Sequence, residues 1–179
     1  MMPLNPILGG VSLQRRKFIT TAAAATTAAC SRQPNLSEAQ MRTLDAWVDA
    51  LIPEDHDAGA RSAGVIHFID IQLSGKYKKY RSLYRTALDA VDRLSDKAPF
   101  HELSLEERTA ILQKLETGYG PSGVFADGGK AAFEMILAHT MQGFYGDPRH
   151  GGNRNYVSWK MIGVPPMPVR GRLHYEVKS

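Results

Sequence analysis

Residues 143–166 read GFYGDPRHGGNRNYVSWKMIGVPP, and this stretch decides how the rest of the chain is organised. It holds five of the sixteen glycines but shows no helical or alternating period. Its Asp-Pro and Gly-Gly-Asn runs are turn signals. Disordered segments are poor in aromatic residues, whereas this one contains Phe144, Tyr145, Tyr156 and Trp159. We therefore predict an ordered, irregular arm that packs on a ligand, on its own core or on a partner chain.

The residues before the arm predict helices and no strand. Ser37 with Gln40, and Ser104 with Glu107, form capping boxes that mark helix starts. Apolar residues at three- and four-residue spacing predict helices over about residues 38–51, 65–74, 77–94, 105–117 and 130–142. No segment alternates over five residues. The pattern favours an all-α fold, with about five helices in one domain and a long irregular Gly/Pro-rich C-terminal arm.

The net charge of +4 comes mostly from the N-terminus. Residues 1–29 contain Arg15, Arg16 and Lys17 and no acid, so the 22 basic residues become 19 without them, against 18 acidic ones. Such a balanced body gives no electrostatic reason to bind polyanions. We therefore expect no nucleic acid among the partners.

The N-terminal segment has the layout of an export signal. A basic pair precedes a short, Ala- and Thr-rich apolar run with small residues at its end. Arg15 and Arg16, followed by Phe18, resemble the twin-arginine motif. The apolar run is too short to span a bilayer. We assign residues 1–29 to a twin-arginine signal and expect the translocase to be a partner.

Cys30 is the only cysteine and follows two alanines, as at a lipoprotein processing site. We expect either lipidation of this cysteine or ordinary signal cleavage near the same bond. A linker over residues 30–36 then leads to a helical domain over residues 37–166 and a tail over residues 167–179. The expected location is the periplasm, at the inner membrane through a complex or through a lipid on Cys30.

The chain carries no recognisable catalytic, cofactor or metal motif. It lacks Cys-x-x-Cys, a phosphate-binding glycine loop and a serine nucleophile elbow. Its six histidines are scattered, and the acidic run 54–57 is typical of an exposed turn. Asp147 and His150 could form an acid–base pair, but no third group is indicated. The twin-arginine route exports folded proteins, so we infer that a partner carries the cofactor.

The arm resembles the signature of a known family. GFYGDPRHGGNR at residues 143–154, followed by WKMIG at 159–163, is similar to the small (gamma) subunit of gluconate 2-dehydrogenase, also called subunit 3. LIP at 51–53 and FID at 68–70 resemble the N-terminal half of that family. The likeness covers about residues 37–166.

The resemblance implies a three-subunit, membrane-bound dehydrogenase. A large subunit binds FAD and oxidises a sugar or sugar acid, and a multihaem cytochrome c subunit passes the electrons to quinone. The small subunit holds no cofactor and no catalytic residue, and it is needed for export, maturation and stability of the large one. The alternative is a stand-alone exported helical binding protein or lipoprotein.

We expect the arm to contact the large subunit, because aromatic residues and arginine anchor interfaces. Asp147 and Arg149 could instead cap a turn and pair with each other. Replacing both central glycines with valine is expected to weaken assembly more than it unfolds the helices. The expected interface residues are Phe144, Tyr145, Asp147, Pro148, Arg149, Gly151, Gly152, Asn153, Tyr156 and Trp159.

Overall fold

The fold is all-α, as predicted. The computed structural model describes residues 34–95, 97–120 and 123–165, and no strand occurs among them. The predictions for the export signal, Cys30 and the C-terminal tail therefore lie outside the described residues. The helices of the described part are α1 (Glu38–Leu51), α2 (Val65–Ser74), α3 (Arg81–Arg93), α4 (Leu105–Glu116), α5 (Lys130–Tyr145) and the short α6 (Val157–Met161).

Helices α1 and α5 form the centre of the domain. They pack against each other, and each also contacts α2, α3 and α4. Leu44, Trp47 and Val48 bury one face of α1, while Ile136 and Phe144 do so on α5. Full burial of such side chains contributes about 1.5–3 kcal/mol each, so these two helices hold the bundle together.

Both predicted capping boxes are present. Ser37 Oγ accepts the backbone N–H of Gln40, and the Gln40 side chain accepts the N–H of Ser37. Ser104 and Glu107 exchange the same pair of hydrogen bonds at the start of α4. Each box satisfies two backbone donors that a helix start leaves free, which explains why both helices begin where the sequence indicates.

Two helix boundaries differ from the prediction. Residues Lys78–Tyr80 form a 3₁₀ turn, and α3 begins only at Arg81. The prediction joined the two elements, because a 3₁₀ turn preserves the three-residue spacing of apolar residues. Helix α5 runs to Tyr145, three residues beyond the predicted end. Gly143 lies inside it, where a Cβ would be 2.8 Å from Phe68 Cδ1. This glycine therefore permits close packing on α2 and does not end the helix.

No helix within the described ranges is both long enough and apolar enough to cross a bilayer.

Candidate functional site

Residues 143–145 of the predicted arm belong to α5. From here on, the arm means residues 146–165, which fold back over the end of α5. Gly146 ends that helix, Pro148–His150 and Arg154–Tyr156 form two 3₁₀ turns, and α6 follows directly. The prediction of an ordered, mostly irregular arm is confirmed. The sequence did not reveal α6, whose five residues are too few to show a period.

Asn153 and Ser158 fasten the arm to α5. Asn153 is fully buried, and its Nδ2 donates to the carbonyl of Gly146 over 3.1 Å. Its Oδ1 accepts the N–H of Ser158 at 3.1 Å, and Ser158 Oγ donates to the carbonyl of Phe144 at 2.5 Å. The last carbonyls of a helix have no partner within it. Polar side chains of the arm supply those partners here.

Gly152 allows the arm to touch the backbone of α5. A Cβ at this position would lie 2.1 Å from the carbonyl oxygen of Gly143, which is far inside contact distance. Gly151 lies in the left-handed region at φ 99°, and a Cβ there would be 2.6 Å from Ile71 Cδ1. Valine at Gly152 would therefore disrupt the fold of this chain directly. This corrects our expectation that the change acts mainly on assembly.

The arm also reaches the start of α2. The backbone N–H of Arg154 donates to the carbonyl of Ala63 at 2.9 Å. The side chain of Arg154 lies over Gly64, where a Cβ would be 2.5 Å from its Nε. The arm is thus fixed at two places that are far apart in sequence, on α5 and before α2.

Three residues of the arm have left-handed backbone conformations. Asn153, Asn155 and Tyr156 have φ angles of 44°, 56° and 60°, and no other non-glycine residue in the described ranges has a positive φ. Asparagine tolerates this region, but for a bulky residue such as tyrosine it costs free energy. Strain of this kind clusters at functional sites, so it marks this part of the arm as a candidate interaction site.

An exposed apolar surface, the arm patch, adjoins this strained segment. We define the arm patch as Tyr145, Tyr156, Trp159, Met161 and Ile162. Trp159 Nε1 donates to the carbonyl of Tyr145 at 2.8 Å, and its ring centroid lies 5.8 Å from that of Tyr156. The exposed fractions of Tyr145, Met161 and Ile162 are 41%, 41% and 53%.

The distribution of exposed apolar side chains is uneven. Eight large ones are exposed in the described residues, and six of them lie on the arm or on the helices it packs against. These six are Ile71, Met141, Tyr145, Met161, Ile162 and Val164. Sequence reasoning missed Met161 and Ile162, although apolar residues in an aperiodic segment were a usable signal.

Asp147 and Arg149 form an ion pair at the first turn of the arm. Asp147 Oδ1 accepts the backbone N–H of Arg149 at 3.0 Å, and the guanidinium binds both carboxylate oxygens. The hydrogen bond from this guanidinium lowers the pKa of the Asp147 carboxyl to about 2. The alternative that these two residues cap a turn and pair is therefore confirmed, and His150 remains exposed beside them.

The ten predicted interface residues fall into two groups. Phe144, Gly152 and Asn153 are buried within this chain, so they position the arm and present no side-chain surface. The others are exposed or partly exposed, and their contact with a partner stays a prediction. This second group is Tyr145, Asp147, Pro148, Arg149, Gly151, Tyr156 and Trp159.

Two other places were considered as ligand sites. An open groove of about 320 Å³ is lined by α2, α5 and His150 of the arm. In the described residues, only Asp55, His56 and Asp57 bring three metal-ligand atoms within 4.8 Å of one another. All three are exposed, as expected for a turn, and exposed acidic clusters of this kind are common without a metal.

Comparison with known proteins identifies one family. The model of the family described as gluconate 2-dehydrogenase subunit 3 matches residues 38–166, which is well over half of the chain. No curated protein and no solved structure matches.

Proposed function

Because this chain belongs to the gluconate 2-dehydrogenase subunit 3 family, we propose that it is a non-catalytic small subunit of a membrane-associated, FAD-dependent sugar or sugar-acid dehydrogenase. It accompanies the large flavoprotein subunit through twin-arginine export and is needed for that subunit's maturation and stability. FAD lies in the large subunit, and haem c lies in a cytochrome subunit of the same complex.

The arm patch is the observation that carries this proposal. Exposed apolar residues that are rimmed by polar ones mark protein–protein interfaces. Here Arg149, which pairs with Asp147, is close enough to Tyr156 of the patch to interact with it electrostatically. Aromatic residues, methionine and arginine are enriched in interfaces, and the patch and its border consist mainly of these types. We therefore assign the patch to the large flavoprotein subunit.

The fixed geometry of the arm favours tight binding. Its backbone is held on α5 and before α2. The arm therefore loses little conformational entropy when a partner docks. Burying the exposed part of each patch side chain contributes roughly 1 kcal/mol. The strain at Tyr156 supports the same view, because a costly backbone angle is retained where it orients a functional surface.

A substitution in the patch tests the proposal. The tagged full chain is purified from membranes, and the recovered flavoprotein is quantified by its bound FAD. Ile162→Asp places an unpaired carboxylate in the interface, which costs about 3 kcal/mol and weakens the complex roughly 100-fold. Leu105→Asp is the matched control, since Leu105 is a similarly exposed apolar residue on α4, 43% exposed against 53% for Ile162.

The proposal expects wild type and Leu105→Asp to recover the flavoprotein and Ile162→Asp to lose it. Equal recovery of the flavoprotein by both variants would show that the patch does not contact the large subunit. If the wild-type chain recovers no flavoprotein, the stand-alone binding protein becomes the better account.

A further inference from the structure

The start of the described domain is fixed at one place on its surface. Asn35 is buried, and its Nδ2 lies 2.9 Å from the carbonyl and Oδ1 of Asp70 and from Ser74 Oγ, at the end of α2. Arg85 Nε donates to the carbonyl of Asn35 at 3.0 Å. The first described residue, Pro34, therefore lies near Arg85 of α3, and Asn35 lies beside the end of α2.

A dense group of cations follows α2 in the sequence, and two of its members, Arg81 and Arg85, lie at this point. Residues 76–85 contain five basic residues and no acid. Within the described ranges, none of the five has an ion-pair partner. We call this group the basic face; it consists of Lys76, Lys78, Lys79, Arg81 and Arg85.

Hydrogen bonds place the basic face next to the start of the domain. Arg81 Nε donates to the carbonyl of Leu73 at 2.7 Å, one residue before the Ser74 that Asn35 contacts. Arg85 bonds to Asn35 itself. The carboxylate of Asp70 accepts a hydrogen bond from Asn35 at this point, and Asp89 lies one helical turn after Arg85 on α3, so two carboxylates accompany five cations.

Charge is distributed asymmetrically along the described chain. Residues 38–57 hold six acids and one basic residue, opposite in sign to the basic face. Asp45 and Asp49 of the acidic stretch pair with Arg61 and Arg108, whereas no ion pair of the basic face occurs within the described ranges. Concentrated charge of one sign attracts a surface of the other sign, and the attraction is strongest at low salt.

One tyrosine among the cations suits a membrane surface. Tyr80 is half-buried, and the ammonium of Lys79 lies 4.8 Å from the centroid of its ring. Tyr77 packs inward, with its ring stacked on His139 at 3.8 Å and its hydroxyl bonded to Gln142. Tyrosine is enriched at the level of lipid headgroups, where its ring and its hydroxyl are both accommodated. Lysine side chains can extend from the same level toward phosphate groups.

We propose that the basic face lies against the anionic phospholipid headgroups of a membrane. Cys30 is only four residues before Pro34, and such a segment reaches at most about 14 Å. A lipid on Cys30 would therefore be attached within that distance of Pro34, which lies beside Arg85 of the basic face. A single acyl chain holds a protein only marginally, and a polybasic surface is one of the second signals that make the attachment stable. The proposal does not depend on the large subunit.

Vesicle binding tests this directly. The full chain with Cys30→Ser, which cannot be lipidated, is mixed with vesicles of phosphatidylcholine alone or of phosphatidylcholine with phosphatidylglycerol. The test variant also carries Lys76→Gln, Lys78→Gln and Lys79→Gln. The control carries the same number of substitutions at exposed lysines elsewhere. These control substitutions are Lys114→Gln, Lys130→Gln and Lys160→Gln.

We expect the control to bind the anionic vesicles more tightly than the neutral ones, and less so at high salt. Each lysine removed from the basic face should weaken binding about fivefold, or roughly 100-fold for the three. Helix content by circular dichroism should be unchanged, because all six lysines are exposed.

Two results would overturn the proposal. The first is equal binding of both variants to anionic vesicles, or binding that ignores the lipid charge. The second is a test variant that still binds vesicles but no longer recovers the flavoprotein. The basic face would then dock on an acidic protein surface.

Discussion

Replacing Gly152 with alanine should detach the arm from the helical domain. The added Cβ would lie 2.1 Å from the carbonyl oxygen of Gly143 and 2.8 Å from its carbonyl carbon. These are backbone atoms of α5, and that helix cannot move away, because Gly143 already packs tightly on Phe68 of α2. The backbone of Gly152 is not left-handed, so the effect is steric and does not come from a forbidden φ angle.

The size of the effect follows from two routes. If the arm stays in place, overpacking costs about 1–3 kcal/mol. If it lifts away, three hydrogen bonds from Asn153, Ser158 and Trp159 are lost, at about 1 kcal/mol each. The first route gives about 1–3 kcal/mol and the second about 3 kcal/mol. We therefore expect a loss of about 2–3 kcal/mol, which corresponds to a fall in Tm of roughly 8 °C for a domain of this size.

Two measurements separate detachment of the arm from global unfolding. Thermal melting by circular dichroism gives Tm. Fluorescence of Trp159 reports on the arm alone when Trp47, the only other tryptophan, is replaced by phenylalanine. The buried Trp47 Nε1 has no hydrogen-bond partner to lose. The core volume lost in Trp47→Phe is the same for every variant, because all are compared in this background. We expect the Trp159 emission to shift to longer wavelength in Gly152→Ala while the helices remain folded.

Ser82→Ala is the control. Ser82 is exposed on α3, and alanine is the best helix former at such a position. It should melt close to wild type. If Gly152→Ala melts within about 2 °C of this control and leaves the Trp159 emission unchanged, the close contact between the arm and α5 is refuted.

Two further predictions concern buried polar groups. Asn153→Ala removes the hydrogen bonds to Gly146 and from Ser158. It should lower the free energy of unfolding, measured by urea titration, by about 2 kcal/mol. A change under about 0.5 kcal/mol would contradict the buried network. Burial lowers the pKa of His139 to about 4. Its neutral form is favoured in the folded state, so stability should be full above pH 6.5 and fall by about 2–3 kcal/mol between pH 6.5 and 4. His139→Gln should flatten that part of the pH profile, and a slope that survives the substitution would assign it to another group.

The helical part of the fold could be predicted from local sequence. Ser37 and Ser104 show their capping boxes within four residues, and the apolar spacing of α1 and α4 is uninterrupted. The predicted end of α5 was wrong, because glycine can either end a helix or allow close packing within one. Gly143 resembles a helix stop, yet it lies within α5 because only a side chain without Cβ fits against Phe68.

The shape of the arm could not be predicted, because long-range contacts determine it. The bond from Arg154 to Ala63 joins residues 91 positions apart, and no local pattern indicates it. Asparagine at position 153 hints at a left-handed turn, but tyrosine at 156 argues against one. The surface that Met161 and Ile162 expose depends on how the arm folds back, so it became visible only in three dimensions.

The location of the large flavoprotein subunit in cells tests the central claim most directly. Arg15→Lys together with Arg16→Lys conserves the charge of the N-terminus but removes the pair that the twin-arginine route requires. Fractionation followed by measurement of bound FAD then shows where the large subunit lies. Our account predicts that the large subunit is exported in cells that produce the wild-type chain and stays in the cytoplasm in cells that produce the variant. A large subunit that reaches the periplasm equally well in both cells would contradict the account.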